Sequence, residues 1–212
     1  MQEHTDRPID IGKAISFGWN GFVANIGPLL LAALAVFAVQ AVFSLLLRSV
    51  DGAFAYLLVQ IASWVISLII AMGWIRIGLN IVDGRRADVA DLFQFDDRFW
   101  SYAGASIVFG ICVAIGLVFF IIPGVIIALI WFFYGYNIVD KGDSMGEAFA
   151  RSNQLTKGRK LELFAFGLVL ILLNILGLLL LIVGVLITAA ISLIAVAYVY
   201  RRLSGEPVVD PA

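Results

Sequence analysis

The side chains able to do chemistry in this sequence are few, and they gather in polar islands between long apolar runs. Asn137 to Lys160, NIVDKGDSMGEAFARSNQLTKGRK, carries Asn137, Asp140, Arg151, Lys157, Arg159 and Lys160 within one short stretch. A carboxylate and a carboxamide suit a cation, whereas guanidinium and ammonium groups suit a phosphate, so Asn137, Asp140, Arg151 and Lys157 form one candidate site. Asn80 to Trp100 begins with the same four residues, Asn80-Ile81-Val82-Asp83, and adds Arg85 and Arg86, with Arg76 just upstream. An aspartate just past a helix C-terminus is repelled by the helix dipole, so Asp83 and Asp140 each need a holding contact. The structural expectation is a cap on the following segment or a pair with Arg76, Arg85 or Arg151. The functional one is a site facing the aqueous side. Arg76, next to Trp74, reads as a snorkelling interfacial arginine, or else as a charge paired with Asp83 or Asp140 between helices.

Catalytic patterns are missing. There is no GxxxxGK[ST], HExxH or GxSxG run, and neither Asp, Glu nor Lys stands near the middle of an apolar run. His4 is the only histidine and Cys112 the only cysteine, the first in a polar tail and the second inside an apolar stretch. No catalytic residue, metal site or cofactor is expected, and the protein reads as a non-enzyme.

The elements that must position these islands follow from composition. Of 212 residues, 62% are hydrophobic and only 14% charged, well outside the range of soluble domains. Charge-free runs cover 14–47, 52–75, 99–139 and 163–200. A membrane crossing needs about 20 residues, so the first two runs hold one span each and the last two hold a hairpin each. The fold class is all-α: a polytopic membrane protein with six transmembrane helices. Residues 1–9 and 204–212 read as disordered tails around a single domain over 10–203. Pro123-Gly124 and Gly184 are expected as the tight turns of the second and third hairpins.

Each hairpin is preceded by a polar segment with helical periodicity. Asp10 is placed as an N-cap ahead of Ile11, Ile15, Phe22 and Ile26, which share one face. Asp88 opens a short amphipathic segment, and Ser144 with Glu147 forms a capping box. Three units therefore suggest themselves, approximately 10–83, 84–140 and 141–203, each an interfacial amphipathic helix plus a transmembrane hairpin. Gln40, Gln60 and Asn174 are the amides inside the spans, and a polar path through them is the alternative to simple interhelical hydrogen bonding.

Six crossings put 13 of the 14 Lys and Arg on one side and leave Arg48 on the other. The positive-inside rule then predicts an inner-membrane protein with both ends cytoplasmic. Its basic interfacial helices would meet membrane lipids, especially anionic headgroups, and a membrane-protein partner. No nucleic-acid partner is expected.

The passage IIPGVIIALIWFFYGYNIVDKGDSMGEAFARSNQLTKG resembles the signature of a prokaryotic six-span family. Pro123, Gly124, Val139, Asp140, Glu147-Ala148, Ser152 and Thr156-Lys157-Gly158 carry the likeness. That family includes the membrane domain attached to some glycerophosphodiester phosphodiesterases and the stand-alone YciC-like proteins. The resemblance implies a membrane scaffold; the aqueous phosphodiesterase domain has no counterpart here, so that activity does not carry over. Two functional expectations result. One is a scaffold that binds lipid and partners through its cytoplasmic helices, alone or serving a separate lipid-modifying enzyme. The other is a small permease or lipid-handling transporter with a cleft between repeats.

Overall fold

Lipid offers backbone groups no hydrogen-bond partner, so each long apolar run must close its own bonds as a helix. The computed structural model describes residues 8–210, the side chains of 181–183 excepted; residues 1–7, with His4, and 211–212 lie outside it. Helix α1 (Ile11–Ala24) leads into α2 (Ile26–Ser49) and α3 (Ala53–Val82), and a 3-10 turn (Val89–Phe93) leads into α4 (Arg98–Phe119) and α5 (Ile121–Ile130). After α5 come a single turn, α6 (Tyr134–Tyr136), and a π-helical turn over Asn137–Lys141. Helix α7 (Met145–Thr156) then precedes α8 (Lys160–Leu179) and α9 (Leu181–Ser204). Among the described residues six stretches are long and apolar enough to cross a membrane, the fourth running from α5 through the π turn. The chain is an all-α, multi-pass membrane protein.

The close-packed core lies at the end of the bundle that carries the polar segments. Ile77, Val82, Leu92, Phe133, Ile138, Leu163, Phe166, Ile194 and Tyr200 are fully buried there. At the opposite end Phe54, Val118, Phe119 and Leu179 are each more than 70% exposed, as lipid-facing tips should be. Glycine sets the closest approaches within the core. A Cβ on Gly73 would stand 2.3 Å from the Leu92 Cα, and one on Gly18 would stand 2.6 Å from the Ile191 carbonyl oxygen. Small residues of this kind let helix backbones meet where the membrane supplies no hydrophobic drive.

Several local expectations need correction. Helix α1 is capped as expected, with Asp10 accepting from the Lys13 N–H at 3.0 Å. Its buried residues are Ala14, Phe17, Gly18, Gly21 and Phe22, turned against α9; of the expected face Phe22 is buried, Ile11 and Ile15 are partly buried against the same core, and Ile26, which opens α2, is exposed. Gly18 and Gly21 bring the α1 backbone close to α9. The second polar segment is only a five-residue 3-10 turn, capped by Asp88 onto the Ala90 N–H, because Leu92 has to sit against the bare Gly73. Among the three polar segments only the first and third are α-helices.

The turns also move. The chain reverses at Phe120, and Pro123 lies in the first turn of α5, where its missing N–H leaves no bond unmade. Gly124 serves instead as a contact, its Cα 2.7 Å from where a Gly116 Cβ would be. Gly184 likewise stands inside α9; the reversal is at Leu180, and a Cβ on Gly184 would lie 2.3 Å from the Gly177 carbonyl oxygen. The expected C-terminal tail is docked as far as it is described. The Val209 N–H donates to the Val82 carbonyl at 3.0 Å, and the Val209 side chain fills the space left by Gly84.

Candidate anion-binding cleft at the basic end

Asp83 and Asp140 end the two NIVD segments; Asp83 pairs with Arg85 as expected, but both aspartates also share a partner that local sequence does not place. Both are held by Arg201, in the last turn of α9 and 5% exposed. Arg201 Nε and Nη2 each lie 2.9 Å from an Asp83 carboxylate oxygen, and Nη1 lies 2.7 Å from Asp140 Oδ2. The Tyr200 hydroxyl donates to the same Asp140 oxygen at 3.1 Å, and Lys141 Nζ stands 3.2 Å from it. Glu206, from the docked tail, pairs with both Arg201 and Lys141. Arg85 closes the group on Asp83 at 2.8 Å, so three cations balance three carboxylates. Such mutual pairing is what permits a nearly buried guanidinium.

A second construction supports the fourth crossing. Helix α5 stops at Ile130, and the interruption at Trp131–Phe133 leaves backbone groups without helical partners. Helix α7 supplies them. Ser152 Oγ donates to the Ile130 carbonyl at 2.9 Å and accepts the Phe133 N–H at 3.1 Å, while Thr156 Oγ1 lies 3.3 Å from the same carbonyl. Irregular backbone at membrane depth is tolerated where protein satisfies it in this way. Below the break Asn137 is fully buried, with Nδ2 donating to the Ala148 carbonyl at 3.1 Å and Oδ1 unpartnered. Helix α7 itself starts from the capping box, with Glu147 accepting from both the Ser144 N–H and its hydroxyl. Those bonds hold the exposed Glu147 carboxyl below its ordinary range.

Between the start of α1, the end of α7 and the docked tail lies a cavity of about 1240 Å³. Among the described residues Lys13, Lys141, Arg151, Lys157, Arg159 and Arg202 line it with the acids Asp10 and Glu206; Lys13 pairs with Asp10, Lys141 with Asp140 and Glu206, and Arg151 with Asp143. Pro8 and Ile9 meet residues 204–208 around it, so both described ends of the chain lie on one side of the bundle. The Ile9 N–H donates to Glu162 Oε2 at 2.9 Å, tying the start of the chain to α8. Arg151 is aimed by Asp143, 2.6 Å away and largely buried; this pairing raises the guanidinium above its ordinary value and keeps it charged. Trp19, on the exposed side of α1, is 52% exposed, as an interfacial anchor would be.

The predicted site residues divide. Arg151, Lys157 and Arg159 meet in the large cavity, whereas Lys160 opens α8 outside its lining. Asp140 is committed to Arg201, and Asn137 is interior, so the Asn137–Asp140–Arg151–Lys157 site is not assembled. Arg76 pairs with Asp96 at 2.8 Å and donates to the Gln94 carbonyl, not to Asp83 or Asp140. With Arg85, Asp91, Arg98 and Asp140 it borders a smaller cavity of about 530 Å³, while Arg86 is exposed and borders neither. The polar path is also absent as drawn: Asn174 donates to Ser192 Oγ at 2.8 Å within its own hairpin, while Gln40 and Gln60 face outward.

Lys13, Lys141, Arg201, Arg202 and Glu206 were not singled out by sequence. Only the two aspartates in need of a cation signalled that Arg201 had a task beyond marking the end of a span. Among the described residues no three His, Cys, Asp or Glu side chains converge as a metal site requires. Comparison with described protein families, with curated proteins and with solved structures finds no match for this chain.

Proposed function

We propose that this protein is a non-enzymatic inner-membrane component that binds anionic phospholipid headgroups in the basic cleft and presents them, or the surface around them, to a membrane-protein partner. The cleft carries the reading: among the described residues six cations and two acids line about 1240 Å³ at the end of a six-span bundle, and Lys157 and Arg202 have no ion-pair partner there. A phosphate there would be met by exposed ammonium and guanidinium groups of Lys157 and Arg202, with Arg151 held in place by Asp143. Acyl chains would lie along the apolar faces outside, so one ligand would satisfy both environments. The excess of Lys and Arg at this end supports a cytoplasmic placement by the positive-inside rule. The proposal extends to membership of the six-span family that the 121–158 passage resembles and to an origin of the bundle in three related units.

Native mass spectrometry from mixed micelles tests it. Wild-type protein should retain phosphatidylglycerol over phosphatidylcholine, and Lys157→Gln with Arg202→Gln should abolish the preference while leaving the fold intact. Inorganic phosphate and glycerol phosphate, added in parallel, distinguish a headgroup site from one for free phosphate. Equal retention of both lipids by the wild type would refute the assignment.

A further inference from the structure

Three carboxamides sit well inside apolar spans, and the fold treats them differently. Asn174 is satisfied within the chain, donating to the Leu170 carbonyl and to Ser192 Oγ, both at 2.8 Å. Gln40 on α2 and Gln60 on α3 are exposed, and neither hydrogen-bonds any described residue. They also stand at one depth. Gln40 is nine residues before the end of α2 and Gln60 seven after the start of α3. At 1.5 Å per residue those are about 14 and 11 Å from the connecting loop, near the middle of a hydrocarbon core of about 30 Å.

An amide facing acyl chains loses its hydrogen bonds to water and gains none, which is the arrangement that membrane helices avoid. Headgroups are too distant to help, and the exposed polar neighbours one turn away, Ser44 beside Gln40 and Tyr56 beside Gln60, form no hydrogen bond to either amide. The first hairpin is also the least enclosed. In the most apolar 18-residue stretch of each of its two spans 11% of the residues are buried, against 50% for the last span. Phe37, one turn from Gln40, and Leu57 and Trp64, one turn either side of Gln60, are all exposed.

We propose that the α2–α3 hairpin is a dimer interface whose partner is a second copy of this chain. A primary amide both donates and accepts, so an identical surface can complete it. A two-fold axis between hairpins would set Gln40 against the partner's Gln60 and Gln60 against the partner's Gln40, closing the assembly at two copies. Phe37, Leu57 and Trp64 would pack around that pair of amide contacts. Interhelical amide bonds of this kind act as glue between spans.

The full chain is reconstituted in lipid vesicles at graded protein-to-lipid ratios, with association read by energy transfer between two labelled populations. Wild type is expected to dimerise, Gln40→Leu with Gln60→Leu to weaken dimerisation on the order of tenfold, and Gln40→Asn with Gln60→Asn to retain more of it. Because neither glutamine side chain hydrogen-bonds the rest of the chain, the thermal midpoint of the dissociated protein should not fall. In a Cys112→Ala background, Gln40→Cys with Gln60→Cys should cross-link copies on oxidation, and Ile171→Cys, exposed on another hairpin, should not. Three results would overturn the proposal: protein that stays monomeric at every density, dimers indifferent to the leucine pair, or a Gln60→Cys thiol open to a membrane-impermeant maleimide, which marks a water-filled path.

Discussion

Asp83 and Asp140 share one guanidinium. Arg201 places Nε and Nη2 on the first carboxylate and Nη1 on the second, so the ends of the second and fourth crossings are tied through the end of the sixth. The tie explains how Asp83, just past the end of α3, and Asp140, near the end of the π-helical turn, persist against the dipole, and how a nearly buried arginine is tolerated.

Removing Arg201 should therefore hurt more than its place near a helix end suggests. Arg201→Met leaves Asp83, Asp140 and Glu206 facing one another, with an expected loss of about 3–5 kcal/mol, seen as a large fall in the thermal midpoint of purified protein. Arg201→Lys should fall between, since an ammonium cannot make the paired contact with Asp83. Adding Asp83→Asn and Asp140→Asn to the methionine variant should recover part of the loss. Unchanged stability of Arg201→Met would show that the cluster holds nothing together.

Ser152→Ala removes both a donor to Ile130 and an acceptor for Phe133 at a break inside the bilayer-length span. A buried group left unpaired costs about 1–3 kcal/mol, and hydrogen exchange at residues 130–136 should rise. Thr156→Val should cost less, because its 3.3 Å contact is the weaker of two on the same carbonyl.

Glycine substitutions separate contact from mere presence in a span. Gly73→Ala drives a methyl against the Leu92 backbone and should destabilise by about 1–3 kcal/mol. Gly110→Ala meets nothing within 4 Å and should be neutral or slightly stabilising. Ser106, Gly110 and Ala114 fall four residues apart along α4, a small-residue pattern of the kind that seats a neighbouring helix, yet nothing packs against Gly110. The Ser106 hydroxyl shares a hydrogen bond with Tyr134 instead, and the space beside Gly110 is open.

That stripe shows where sequence reading stops. Span number, span boundaries to within a few residues, the Asp10 and Ser144 caps and the one-sided crowding of Lys and Arg are legible, because each depends on neighbours close in the chain. Asp83 and Arg201 stand 118 residues apart, and no local pattern pairs them. Pro123-Gly124 and Gly184 misled for a related reason: a glycine near an expected turn serves a bend or a helix contact equally well, and only tertiary packing decides. The cleft combines the two cases. Arg151, Lys157 and Arg159 come from a conspicuous island, whereas Lys13 and Arg202 join them only when the two ends of the chain converge.

The capping box gives a pH dependence with a definite sign. Glu147 has a folded-state carboxyl below its ordinary value of 4.5, held down by Ser144. Its contribution is complete above that ordinary value and is lost as pH falls through the lower folded one. Helix α7 in Glu147→Gln should therefore be less stable than wild type near neutrality, and the difference should shrink under acid, as followed by hydrogen exchange over residues 145–156.

The most direct measurement is thermal unfolding of the full chain in nanodiscs of increasing phosphatidylglycerol content, at low and high salt. If the cleft holds an anionic headgroup, the midpoint should climb with phosphatidylglycerol, the climb should shrink at high salt, and Lys157→Gln with Arg202→Gln should remove it. A midpoint indifferent to headgroup charge, or a climb that survives both substitutions, would contradict the account.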